Sequence, residues 1–305
     1  MPEFQLTTPV AFIIFNRLDT TRRVFAEIAK ARPSKLLVIA DGPRTNRLGE
    51  AEKCAQTRAV IDGVDWDCEV LTNFSEVNLG CKRRVSSGID WVFDQVEEAI
   101  ILEDDCVPAQ SFFRFCQELL ERYRHDRRVG MISGDNFQFG SRFNGDSYYF
   151  SKYVHIWGWA SWRDRWAGSY DAAMAKWPRI RDEERLVDML GDRREAAHWH
   201  RVFEDVHNGK IDTWDYQWLF ACWMEGWVNV MPSVNLISNI GWGPDATHTF
   251  GGGDLGNMPV EDISFPLVHP QGVYRNTRAD KSNETNCIRI PLTKLVRNKL
   301  TRMLR

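Results

Sequence analysis

Four apolar residues, Ala99-Ile100-Ile101-Leu102, run straight into three acids, Glu103-Asp104-Asp105. An apolar run of this length bounded by polar residues reads as a strand buried on both faces, the kind found in parallel sheets. Three consecutive carboxylates cannot enter such a sheet without a large desolvation cost. They therefore stand just past the strand's C-terminal end, the edge at which open α/β sheets bind ligands. Adjacent carboxylates repel unless something positive joins them, and a divalent cation carrying a diphosphate suits that need. An acidic loop capping the next helix is the plainer alternative.

The residues before the acids repeat the pattern. Val10 to Phe15 is a first buried strand, followed by Asn16 and Arg17. Asp19 or Thr20 can cap a helix whose Val24, Phe25, Ile28 and Ala29 form one stripe, ended by Pro33. Leu36 to Ala40 is a second strand, ending in Asp41 and Gly42, where glycine permits a tight turn close to a ligand. A helix over roughly 50–61, a short strand from Cys68 to Leu71 and a helix carrying Val85, Ile89, Val92 and Phe93 precede the acids. After them, Phe112, Phe115, Cys116, Leu119, Leu120 and Tyr123 make another amphipathic helix. Strands alternating with helices through short joints predict an α/β, doubly wound, mainly parallel sheet. Such a sheet brings three polar strand ends together: Asn16 and Arg17, Asp41 and Gly42, and Glu103 to Asp105. Taken singly, Arg17 and Asp41 read equally well as plain turn residues.

The second half has a different character. Eleven of the 13 tryptophans fall between Trp157 and Trp242. Most are expected in the core, where Trp at helical spacing packs inward, with two or three free to stack on the apolar face of a sugar ring. Asp212 or Thr213 is placed to cap a helix, which sets Asp215 in its first turn; acids are favoured there by the helix dipole, and a general base at a pocket rim is the functional alternative. A glycine-rich loop from Asn239 ends in His248, and Gly251-Gly252-Gly253 follows as a lid or a linker. Residues 131–144 read as strand then loop with no assigned role.

A net charge of −3 gives no argument for nucleic-acid binding, and 27% charged with 43% hydrophobic residues excludes a disordered chain. The seven cysteines form no CxxC pair and no zinc spacing, so reduced thiols in the cytoplasm are expected. Val10 to Phe15 is too short for a signal peptide, and no run of roughly 18 apolar residues appears. The last 20 residues carry six Lys or Arg and no acid, while Leu292, Leu295, Val296, Leu300, Met303 and Leu304 share one helical face. That basic amphipathic pattern suits the anionic inner face of a membrane, or a helix packed on the body with solvated charges.

With these residues in view, the chain resembles a GT-A glycosyltransferase, and more narrowly a bacterial relative of the α-mannoside β-1,2-N-acetylglucosaminyltransferases. The resemblance covers roughly residues 8–250. It rests on Asn16-Arg17, Asp41-Gly42, Arg83-Arg84, Glu103-Asp104-Asp105 in place of the commoner DxD, Gly158-Trp159 and Trp214-Asp215. It implies a Rossmann-like donor half at 1–126 and a Trp-rich acceptor half at 127–285, with the basic amphipathic pattern setting apart a tail at 286–305. It also implies transfer from a nucleotide diphosphate sugar, UDP-linked, to a glycan or lipid-linked acceptor with Mn2+ or Mg2+. Asp105 would be the metal ligand, joined by His248. Asp104 would hold the ribose and Glu103 the donor sugar. Asn16, Arg17, Asp41, Gly42, Arg84, Gly158 and Trp159 would line the donor, and Asp215 would be the catalytic base. Two positions depart from the family: Tyr216 replaces a second acid after Trp-Asp, and Arg84 replaces a histidine. A sugar nucleotidyltransferase shares the sheet and the carboxylates, but the loop after the first strand, Asn16 to Thr20, lacks the glycines that chemistry needs. A non-catalytic carbohydrate-binding protein would suit the tryptophans and leave the α/β half without a purpose.

Overall fold

The computed structural model describes residues 4–143, 145–242 and 255–288. Ten strands lie among the described residues: β1 Val10–Ile14, β2 Lys35–Ala40, β3 Glu69–Phe74, β4 Glu98–Glu103, β5 Cys106–Pro108, β6 Val129–Ser133, β7 Tyr148–Ser151, β8 Trp159–Trp162, β9 Val228–Pro232 and β10 Ile237–Asn239. Eight form one sheet in the order β3-β2-β1-β4-β8-β6-β9-β7, and β10 pairs with β5 separately. Neighbours among β3, β2, β1 and β4 run parallel, as do β6 and β9; β8 and β7 run antiparallel to their neighbours. This is the mainly parallel α/β sheet that the alternating pattern predicts. It runs unbroken from the first half of the chain into the second through the β4–β8 pair.

Period-two alternation divides the strands between two cores. Val10, Phe12 and Ile14 face one side with Leu36, Val38, Ile100 and Leu102. Ala11 and Ile13 face the other with Leu37, Ile39, Ala99 and Ile101. Ten helices flank the sheet or build on it: α1 Leu18–Ala31, α2 Glu50–Arg58, α3 Gly80–Gln95, α4 Gln110–Tyr123, α5 Arg163–Trp166, α6 Trp177–Asp182, α7 Leu186–Leu190, α8 Arg193–His207, α9 Asp215–Met224 and α10 Thr277–Asn283. Helices α1 and α4 cover the first face with Val24, Ile28, Phe112 and Leu119. Helix α3 covers the second with Val85, Ile89, Val92 and Phe93. A third core joins α6, α7, α8 and α9 through Trp177, Leu186, Trp199, Phe203 and Trp223.

Helices α1 and α9 have Arg17 and Trp214 as N-caps in place of the expected Asp19 or Thr20 and Asp212 or Thr213, and two further elements differ from expectation. Strand β3 runs to Phe74, because it pairs with β2 from Lys35↔Glu69 to Ala40↔Phe74. It is the sheet's edge and only half-buried, so its polar residues hide it from a hydrophobicity pattern. The expected helix over 50–61 is α2 followed by a 3-10 turn at Ala59–Gly63.

Nine of the eleven clustered tryptophans are buried. Trp159 stacks on Trp214 with ring centroids 5.8 Å apart, and Trp166 packs on Trp218 at 5.1 Å. Only Trp157 and Trp242 keep partial exposure. Six cysteines are free thiols among the described residues, and no described helix is long and apolar enough to cross a membrane.

Candidate active site

Strands β1 and β4 are adjacent and parallel, with Ile13 opposite Glu103. The chain leaves β1 toward β2 on one side while β4 lies on the other, which makes their C-terminal ends the switch point where such sheets open a crevice. Arg17 and the three acids meet there. The Arg17 guanidinium donates to Asp104 through Nη2 and pairs with Asp105 Oδ2 at 3.0 Å. The positive group that joins the carboxylates within the chain is therefore Arg17. Its backbone is held by Thr21, whose N–H and hydroxyl both donate to the Arg17 carbonyl, at 3.0 and 2.7 Å.

The acids differ in setting. Asp104 is 3% exposed, and its carboxylate is taken up by Arg17. Burial, opposed by Arg17, raises it to about 6. Burial and then Asp105 and Asp104 push Glu103 up to about 8, with Arg17 opposing and Asp215 adding to the rise. Asp105 keeps more exposure than Asp104, with side chains at 14% and 5%. Its backbone carbonyl accepts from Ile240 at 2.8 Å, which continues the β5–β10 pair and lays Gly241 across the acids. A Cβ on Gly241 would lie 2.0 Å from Asp105 Oδ2 and 2.9 Å from Arg17 Nη1, so a side chain there would displace both groups. Trp242 follows, 6.2 Å from the Trp157 ring and nearly perpendicular to it. These two part-exposed indoles thus stand beside the acid cluster.

Asp215 opens α9 as expected, with Thr213 Oγ1 donating to its carboxylate. It lies near enough to Glu103 and Cys81 to raise both. Helix α9 is apolar all round: Trp218 and Cys222 enter the sheet core, while Leu219, Phe220 and Trp223 enter the third core. The second half of the chain therefore presents Asp215 from a rigid support to the acids of the first half.

The remaining expected residues build the walls. Asn16 donates to Glu50 at 2.9 Å, and Glu50 also accepts from the Arg44 N–H at 2.7 Å, closing the loop after β2. Asp41 accepts from Gly42, Leu79 and Gly80 N–H groups and from Asn78, so it caps α3 with its carboxylate. Gly42 makes its close approach to the Val77 backbone, where a Cβ would lie 2.5 Å away. Arg84 is buried and donates to the backbone and side-chain oxygens of Asn73. Burial lowers its guanidinium value, and Asp41 nearby opposes this. Gly158 adopts φ +80, which favours glycine, and packs on Ile237. Trp159 is fully buried and its side chain stacks on Trp214, because β8 is an interior strand. His248 lies outside the described residues.

Three contributors escape a sequence reading. Glu50 looks like one of several acids on a surface helix. Gly241 sits in a visible glycine-rich loop, but only the β5–β10 pairing places it on Asp105. Asp135 follows β6 and is fully buried; its Oδ2 accepts from the Trp157 N–H at 3.1 Å, and Oδ1 has no partner among the described residues. Burial raises its carboxyl well above the usual range. A folded value above the unfolded one gives stability that is full below about pH 4 and lost as pH rises toward the folded value. Asp135→Asn is therefore expected to gain thermal stability over wild type as pH goes from 4.5 to 7.5. An equal difference at both pH values, measured by thermal denaturation, would contradict this.

The carboxylates suit a hard divalent cation, since Arg17 already fills a cation's place between Asp104 and Asp105. No group of three or more His, Cys, Asp or Glu among the described residues closes a metal cage. A cation at Asp104 and Asp105 would have to complete its shell with phosphate oxygens and water, as Mg2+ does with substrate phosphates.

No protein-family model matches the chain, and no curated protein matches it. Among solved structures the chain is similar to the glycosyltransferase GlyE of Streptococcus pneumoniae TIGR4, at 10% identity and a TM-score of 0.35. The match covers 74% of this chain and 46% of that one, so this chain spans less than half its length. A likeness this distant carries no functional weight.

Proposed function

We propose that the chain is a metal-dependent inverting glycosyltransferase, moving a sugar from a nucleotide diphosphate sugar, UDP-linked, to a hydroxyl of a glycan or lipid-linked acceptor. The observation that carries this is the meeting of Arg17, Asp104 and Asp105 at the β1–β4 switch point with Asp215 brought to the same acids on α9. A sugar nucleotide needs a cationic place for its diphosphate, an apolar face for its ring and a base for the incoming hydroxyl. Arg17, the Trp157–Trp242 pair and Asp215 match these needs in turn.

In the proposed step the acceptor oxygen attacks the anomeric carbon from the face opposite the diphosphate. The bond from that carbon to the diphosphate oxygen breaks, and its electron pair leaves with the diphosphate. The acceptor proton passes to Asp215. One displacement inverts the centre without a covalent intermediate. Asp105 would hold a Mn2+ or Mg2+ ion, which would supply charge neutralisation for the diphosphate. Asp41 and Arg84 frame the nucleotide end, and Glu103 meets the donor sugar.

The test is a thermal-shift screen of nucleotide sugars with and without manganese. Stabilisation by one nucleotide sugar that depends on manganese is expected. Pyrophosphate release from a nucleoside triphosphate would replace sugar transfer with nucleotidyl transfer. Sugar binding without any nucleotide affinity would make the protein a carbohydrate-binding one. Residues 289–305 lie outside the described residues, and we propose from their sequence a peripheral contact with anionic membrane. Removing residues 290–305 is expected to abolish binding to anionic vesicles, and unchanged binding would end that claim.

A further inference from the structure

Arg17 stands where an arriving cation would have to act. Its guanidinium faces both oxygens of Asp104 and one oxygen of Asp105, with its own side chain 25% exposed. Its backbone is fixed at the start of α1 by Thr20 and Thr21, so the side chain is a built-in counter-ion rather than a surface visitor. Gly241 closes the other side of Asp105, its Cα lying where any side chain would collide with Oδ2. A bare divalent cation approaching Asp105 therefore meets a fixed positive charge 3.0 Å from the oxygen it needs. It must also break an ion pair that neutralises two adjacent carboxylates.

A cation that arrives with a diphosphate meets a different balance. The phosphate oxygens cancel its charge and offer the planar Arg17 guanidinium a two-oxygen acceptor in exchange for Asp105. Asp105 is then free for the cation, while Asp104 keeps Arg17 oriented. We propose that Arg17 makes cation binding conditional on the diphosphate: the free protein rejects the metal, and metal and nucleotide bind as a cooperative pair. This rests on the sugar-transfer proposal and goes beyond it, since a site of carboxylates alone would take the metal first.

The test measures Mn2+ binding directly, by the loss of the free-ion EPR signal, with and without UDP. For wild type, UDP is expected to tighten Mn2+ binding about tenfold or more, the range of an ordinary coupling between sites. Arg17→Gln is expected to bind Mn2+ alone about tenfold more tightly than wild type, and to lose most of the effect of UDP. Arg17→Lys keeps the charge and is expected to reject bare Mn2+ as wild type does, which separates charge from misfolding. Equal affinity of wild type and Arg17→Gln for Mn2+ alone would overturn the gating role and leave sugar transfer standing. No Mn2+ binding by Arg17→Gln, with UDP or without, would overturn both.

Discussion

Asp215→Asn is expected to lower turnover by about 10²–10⁴-fold, the usual worth of a positioned general base, with donor binding kept. Amide and carboxylate are nearly isosteric, so the substitution removes proton acceptance and little else. Thr213 can still hydrogen-bond the side-chain oxygen. The helix beneath is fixed by two cores, so the position of the group will not drift. The neighbouring groups cannot substitute. Burial and then Asp215 push the Tyr216 phenol up to about 12, so it keeps its proton at neutral pH. Burial and its acidic neighbours raise Glu103 as well, which favours its protonated form. With Tyr216 standing where the resembled family has a second acid, Asp215 is the group we propose as the base. The measurement is turnover of the nucleotide sugar found by thermal shift, with the shift itself as control for donor binding. Near-wild-type turnover would remove Asp215 from the chemistry.

The sheet was legible because its inner strands are buried on both faces. Val10 to Ile14, Leu36 to Ala40 and Ala99 to Leu102 have no solvated side to interrupt the apolar run. The edge strand β3 was only partly legible for the opposite reason. The polar strand ends were legible in place but not in partnership. Arg17 and Asp41 carry the same signal in sequence, a charged residue after an apolar run. The structure gives Arg17 two carboxylates and makes Asp41 a cap for α3, because β1 borders β4 whereas β2 looks toward Asn78 to Gly80. Long-range pairing decided the rest. The β5–β10 pair brings Gly241 and Trp242 to residues more than a hundred positions earlier. Tryptophans showed the limit of composition: Trp157 and Trp159 are two residues apart, yet strand β8 begins at Trp159 and buries it while Trp157 stays part-exposed.

The largest stability loss is expected at a pair distant from the acids. Lys152 follows β7 and donates to Glu195 at 2.5 Å, with side chains 10% and 3% exposed. Tyr153 donates to the other oxygen of Glu195 at 2.6 Å. Lys152→Met keeps the length and apolar stem but leaves Glu195 as a buried charge with one neutral partner. Removing one member of such a pair costs about 3–5 kcal/mol. In a chain of this size that is a fall in Tm of about 5–8 °C. The double variant Lys152→Met with Glu195→Leu is expected to recover most of it, because the repulsive element is the orphaned carboxylate and not the missing attraction. Urea denaturation of the three proteins distinguishes these cases, and a single variant within about 1 kcal/mol of wild type would show that the pair is solvated. The pair also bears on the site. The Trp223 indole N–H on α9 donates to the Lys152 carbonyl at 2.7 Å, so the segment that carries Lys152 tethers the helix that carries Asp215. That bond uses backbone and survives both substitutions. The double variant should therefore regain activity together with stability, whereas a protein that regains stability alone would show that the ion pair itself sets the position of α9.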